Sequence, residues 1–144
     1  MVMLIRRQFL VEARLQEAWN RLAQVERWPS WAGHIRRIEV VPRGPLTSES
    51  VGRIQLKNGI RSTFRMVEFN PGVNWRWSGR FLWLTVHYDH RFEAVDEGQT
   101  KLTWVVAAGG FGVIWLGKLF ARIYGRNLDT AIPRLVHELK SRTA

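Results

Sequence analysis

Tyr88 and His90 are the side chains best placed to do chemistry in this sequence. They stand two apart in a stretch of alternating polarity, so on a strand their polar tips rise from one face. A histidine beside a phenol can exchange a proton with an enolate, and a closed space around the pair would order the substrate. The same two groups could instead orient a ligand carbonyl or hydroxyl, or be buried groups satisfied by backbone or water. Asn127, in the apolar stripe of a C-terminal helix, is a third polar point open to the same readings.

Other chemistries lack the necessary spacing. His87 and His90 are three apart, which on a strand places them on opposite faces, and His34 and His137 are remote in sequence. No metal site is expected. His87 and Asp89 share the outer face with Arg91, a pattern typical of a surface charge cluster. The chain has no cysteine, which removes thiolate nucleophiles, thiolate zinc sites and disulfides. No serine lies in a Gly-x-Ser-x-Gly elbow. The run Gly109-Gly110-Phe111-Gly112 lacks the lysine of a phosphate loop. No cofactor is called for.

The formal net charge is +10, and every basic residue other than Lys57, Lys101, Lys118 and Lys140 is arginine. Such a balance suits an acidic partner: RNA or a ribosomal surface, an anionic membrane, or an anionic small molecule. Yet the basic residues are spread out, with doublets only at Arg6-Arg7 and Arg36-Arg37, and no DNA-binding motif is visible. Solvated sheet faces are the expected reading. The first ten residues hold too short an apolar run for a signal peptide. The apolar run from Phe111 is interrupted by Lys118 and Arg122, well short of the ~20 residues a membrane span needs. These features predict a soluble, cytoplasmic protein. Oligomeric state is not legible.

The elements that must position Tyr88 and His90 follow from periodicity. Residues 2–11 read as a strand. Leu15, Ala18, Trp19, Leu22 and Ala23 then share a helical face, and a second helical turn covers Glu26 to Trp31. Strand patterns recur over 34–41, 51–57, 60–69, 73–80, 82–94 and 100–108. Asn58-Gly59, Asn70-Pro71-Gly72 and Asp96-Glu97-Gly98 supply turns. Period 3.6 returns after Phe111: Val113, Leu116, Phe120, Ile123 and Tyr124 form a stripe continued by Leu128, Ala131, Leu135 and Leu139, with Pro133 expected to kink the helix. The order β-αα-β(six)-α predicts one α+β domain over residues 1–144.

Several segments in this order resemble the START-like superfamily in its polyketide cyclase/dehydrase and lipid-transport branch (SRPBCC). They are VEARLQEAW at 11–19, VERWPSW at 25–31, VGRIQL at 51–56, EFNPG at 68–72, HRFE at 90–93 and GQTKLT at 98–103. The resemblance spans about Leu4 to Leu139. It implies a helix-grip fold: a curved antiparallel sheet of about seven strands wrapped around the C-terminal helix, with a cavity between them. Members bind lipids, sterols, quinones, polyketides or plant hormones, and only some catalyse a reaction. Alternation then assigns the expected pocket walls to Phe64, Met66, Trp75, Trp77, Tyr88, His90 and Trp104 from the sheet. The helix would add Leu116, Phe120, Ile123, Tyr124 and Asn127. The leading expectation is a binding or carrier domain for a lipid, quinone, polyketide or aromatic compound. The alternatives are a polyketide cyclase, aromatase or dehydratase using His90 and Tyr88, or a basic surface binding RNA or an anionic membrane, the latter through Phe111, Ile114 and Trp115 beside Lys118.

Overall fold

The computed structural model describes residues 1–143. Strand β1 (Val2–Val11) leads into helix α1 (Leu15–Ala23) and a short 3-10 helix (Val25–Ser30). Six strands follow: β2 (Ile35–Val41), β3 (Val51–Leu56), β4 (Arg61–Asn70), β5 (Asn74–Phe81), β6 (Leu84–Asp96) and β7 (Gln99–Gly109). Helix α2 (Val113–Thr143) closes the chain. All strands join one sheet in the order β1-β7-β6-β5-β4-β3-β2, with every neighbouring pair antiparallel. This is the predicted helix grip. Among the described residues, no helix is long and apolar enough to cross a membrane.

Alternation fixes which side chains meet. The inner face buries Phe64 and Met66 on β4, Trp75 and Trp77 on β5, Leu84, Val86, His90 and Phe92 on β6, and Leu102, Trp104 and Val106 on β7. A one-residue slip in any of these strands would turn its rings out to water, so the apolar rows themselves specify the register. The ladder places Trp75 opposite His90 and His90 opposite Trp104. Asn58-Gly59 makes the expected turn between β3 and β4; Gly59 lies at φ 91°, and the Asn58 side chain accepts a hydrogen bond from the Ile60 N–H at 3.0 Å.

Helix α1 covers the far end of the inner face. Its Trp19 meets Trp75, Phe69 and Phe92 at ring separations of 5.0, 5.6 and 4.9 Å. Buried Arg21 ties α1 to the later turns of α2 through an ion pair with Glu138, whose carboxylate also accepts from Ser30 Oγ. Arg7 of β1 reaches Asp129 of α2 at 3.0 Å. Helix α2 runs through Pro133 without ending there.

Two boundaries differ from the expectation. Leu82 and Trp83 do not begin β6; they form a tight turn, with Leu82 at φ 54° and both side chains exposed. The pairing of Phe81 with Leu84 leaves only those two residues to reverse the chain. The predicted turn of α-helix at 26–31 is a 3-10 helix.

One glycine is fixed by its neighbour across the ladder. Gly52 stands opposite Phe64, and a Cβ there would lie 2.2 Å from Phe64 Cζ and 2.8 Å from the Glu39 carbonyl oxygen. Phe64 therefore keeps its stacked contact with Trp77, at 4.3 Å, because residue 52 has no side chain. Gly52→Ala is expected to cost about 1–3 kcal/mol, the range for overpacking a filled core. Urea denaturation checks this; an unchanged midpoint would show that Phe64 moves freely.

Candidate functional site

The inner face gathers its aromatic rings around His90. The imidazole stacks on Trp75 at 5.3 Å and lies 4.8 Å from Trp77, 5.8 Å from Trp104 and 5.8 Å from Trp28. The β5, β6 and β7 ladders supply Trp75, His90 and Trp104 in one row. Trp28 and Trp31 come from the 3-10 helix and its end, where three-residue spacing turns both indoles toward the sheet. Trp31 meets Trp104 at 5.8 Å, closing the ring of indoles.

This cluster is apolar in shape but not in hydrogen bonding. Trp28 donates its indole N–H to the Leu22 carbonyl at 2.9 Å. The indole N–H groups of Trp31, Trp75 and Trp104 are buried and find no hydrogen-bond partner among the described residues. Buried polar atoms are nearly always paired, and each one left unpaired costs about 1–3 kcal/mol. Three such donors lie in one cluster.

A second aromatic group adjoins the first. Tyr88 stands beside Trp77 on the ladder and faces α2, where it meets Tyr124 at 5.7 Å and Phe120 at 6.4 Å. Phe120 and Tyr124 stack at 5.3 Å, and Phe81 packs edge-on against Phe120 at 5.0 Å. The structure thus brings together Phe64, Met66, Trp75, Trp77, Tyr88, His90 and Trp104 with Phe120 and Tyr124. Leu116 is buried at the start of α2. Ile123 does not join them; it is 53% exposed. The buried arc of α2 drifts along its length through Leu116, Phe120, Leu128, Ala131 and Leu135, and Ile123 falls about a quarter turn from its centre. Asn127 is half-buried at the margin of this arc. Phe81, Trp28 and Trp31 were not among the expected wall residues; the VERWPSW motif was the available signal for the two tryptophans.

Burial sets the chemistry. It lowers the His90 pKa to about 4, partly offset by the Asp89 carboxylate, so the ring is neutral at pH 7. Burial holds the Tyr88 and Tyr124 phenols well above their ordinary value, and for Tyr88 the neighbouring Tyr124 adds to the effect. These groups can donate or accept hydrogen bonds at neutral pH, while exchanging a proton is opposed at each of them. On the outer face, His87 is also lowered by burial and by Arg76. Asp89 there accepts from Arg91 at 2.9 Å and from Asn74 at 2.8 Å, and Asn74 also donates to Glu68. That network is internally partnered. Among the described residues, no three His, Asp or Glu side chains converge as a metal site would require.

A cleft of about 450 Å3 open to solvent lies elsewhere, lined by Arg37, Glu39, Arg53, Arg61, Arg80 and Leu82. Arginines dispersed along the sequence are thus drawn together where β2 to β5 lie side by side, a convergence the dispersed sequence positions did not suggest.

A family model described as "Polyketide cyclase / dehydrase and lipid transport" matches residues 4–140. No curated protein sequence matches the chain. Solved structures share the fold at low identity. The di-domain ARO/CYC BexL from the BE-7585A biosynthetic pathway superposes with a TM-score of 0.77 at 19% identity, over 97% of this chain and 47% of BexL. This chain therefore spans about half the length of BexL. The Zhui aromatase/cyclase from a Streptomyces species gives 0.74 at 14% identity, covering 97% of this chain and 94% of Zhui. XoxI from Bacillus cereus gives 0.75 at 11% identity, covering 100% of this chain and 99% of XoxI.

His90 should make stability depend on pH. Its folded pKa is below the unfolded value of about 6.5, so between those values the unfolded chain binds more protons and stability falls as pH falls. The loss from pH 7 to pH 4 attributable to this group is expected to be on the order of 3 kcal/mol. Denaturation midpoints of the wild type and His90→Gln across this range check the assignment. Parallel pH profiles would refute it.

Proposed function

Because this chain belongs to the polyketide cyclase/dehydrase and lipid transport family, we propose that it binds a hydrophobic small molecule carrying carbonyl or hydroxyl oxygens between the inner sheet face and α2. The observation that carries this reading is the trio of buried, unpartnered indole N–H groups on Trp31, Trp75 and Trp104 around a neutral His90. Three donors set in aromatic walls suit the oxygens of a quinone, polyketide or polyphenol. A bare hydrocarbon would leave them unsatisfied. His90 Nδ1 supplies a further polar contact, as donor or acceptor according to its tautomer. Phe120 and Tyr124 stack at the helix side of the adjoining aromatic group, beside Tyr88.

The role is to hold the molecule. Cyclisation, named for the aromatase/cyclase neighbours, or dehydration, named in the family description, would call on His90 to give or take a proton. With its pKa near 4, about one imidazole in a thousand is charged at pH 7. The cluster offers hydrogen bonds and shape more readily than acid–base exchange.

The test is thermal shift and native mass spectrometry of the full chain against fatty acids, quinones and aromatic polyphenols. Oxygenated aromatic ligands are expected to raise the melting temperature in a concentration-dependent way and to remain bound in the mass spectrum. Trp104→Phe keeps the ring and removes the N–H. It is expected to weaken binding about five- to tenfold, the value of one hydrogen bond near 1 kcal/mol. If no ligand class stabilises the protein, or Trp104→Phe binds as tightly as wild type, the reading fails.

A further inference from the structure

One end of the molecule has a surface unlike the rest. The register brings the start of β1, the β3–β4 turn, the β5–β6 turn and the junction of β7 with α2 to the same end of the sheet. Trp83 from the β5–β6 turn is 51% exposed and donates its indole N–H to the Phe111 carbonyl at 2.7 Å, which joins the turn to the helix start. Phe111 is 86% exposed and Trp115 is 62% exposed, with Leu82 and Ile114 exposed beside them. Scattered exposed apolar residues are ordinary, but large rings and aliphatics grouped at one end mark an interaction surface.

Charge is polarised along the same axis. None of the twelve acidic residues lies in the segments that build this end: 1–4, 34–37, 56–62, 79–86 and 107–118. The chain from Gly98 to Leu128 contains no acid at all. The cations carried by these segments are Arg36, Arg37, Lys57, Arg61, Arg80 and Lys118. Glu12, Glu49, Asp96 and Glu97 all fall at or beyond the opposite ends of their strands. The outer side of α2 continues the pattern, with Leu119 and Ile123 exposed next to Lys118, Arg122 and Arg126.

We propose that this end docks onto an anionic lipid bilayer, with Trp83, Phe111, Ile114 and Trp115 entering the headgroup layer and the flanking lysines and arginines meeting lipid phosphates. Tryptophan and phenylalanine prefer that interface, where a ring can be buried while a polar edge stays hydrated. A predominantly cationic rim, in which Glu39 shares the cleft of Arg61, Arg80 and Leu82, is complementary to a negative leaflet. A second copy of this chain fits the surface less well, because an isologous contact would oppose one cationic rim to another. Nucleic acid would reward the cations but not exposed Ile114 and Leu82. The proposal is independent of what the interior binds. It places the bilayer contact at the first turn of α2, four residues before Phe120.

The test is co-sedimentation of the full chain with sucrose-loaded vesicles. Pure phosphatidylcholine is compared with phosphatidylcholine containing about one third phosphatidylglycerol, in about 0.1 M salt. The protein is expected to sediment with the anionic vesicles and to remain in solution with the neutral ones. Phe111→Ser combined with Trp115→Ser is expected to weaken partitioning at least tenfold, and Lys57→Glu with Lys118→Glu to do likewise. All four positions are exposed, and circular dichroism confirms the fold of each variant; should one pair fail to fold, the other carries the test. Absence of sedimentation, equal sedimentation by both variant pairs, or a stable dimer whose dissociation requires the apolar substitutions would overturn the proposal. Binding to RNA without binding to anionic vesicles would overturn it as well.

Discussion

The row Trp75, His90, Trp104 is the constraint on which the rest of the structure depends. Three neighbouring strands each place a large ring at the same height of the inner face. Rings of that size cannot be buried by the sheet alone. They need the 3-10 helix above them, bringing Trp28 and Trp31, and α1 beside them, bringing Trp19. Aromatic pairs contribute about 0.5–1.5 kcal/mol each beyond the area they bury, so this network is a substantial share of what orders the interior. It also sets the protonation of His90, since removing water from around an imidazole disfavours its charged form.

Packing stability and the proposed binding would make opposed demands on the same cluster. A core selected for packing alone would carry phenylalanine or leucine where Trp31, Trp75 and Trp104 leave buried N–H groups unpaired. Trp28 shows the alternative, since its N–H is matched to the Leu22 carbonyl. The difference among chemically identical side chains within one cluster separates an indole paired within the fold from three that are unpaired among the described residues. Helix α2 divides along the same line. Its later turns are fixed to α1 by the Arg21–Glu138 pair, while its first turns carry exposed rings and the Phe120–Tyr124 stack.

Much of this was legible in the sequence because strand alternation has a fixed period of two. Once Tyr88 and His90 were placed on one face, Val86 and Phe92 followed, and the hairpin turns fixed which strands were neighbours. Asn58-Gly59 set its turn unambiguously. The helix was harder: a 3.6-residue period read over 31 residues does not say how the buried arc drifts, and Ile123 was assigned to the wrong side. Trp28 and Trp31 were visible only as part of a family-like motif, since a 3-10 turn of six residues is too short for periodicity to orient. No sequence pattern distinguishes a paired indole N–H from an unpaired one. The grouping of Arg37, Arg53, Arg61 and Arg80 likewise required the strand order.

The central claim is that the three unpaired indoles await an oxygenated ligand, and it can be observed at the atoms concerned. In a proton–nitrogen correlation spectrum of nitrogen-15-labelled protein, each indole N–H gives its own signal. On addition of a soluble quinone or polyphenol, the signals of Trp31, Trp75 and Trp104, assigned by single Trp→Phe substitutions, are predicted to move downfield as hydrogen bonds form. The Trp28 signal, already bonded to Leu22, should stay nearly fixed. Uniform small shifts of all four, or movement confined to exposed Trp83 and Trp115, would contradict the account.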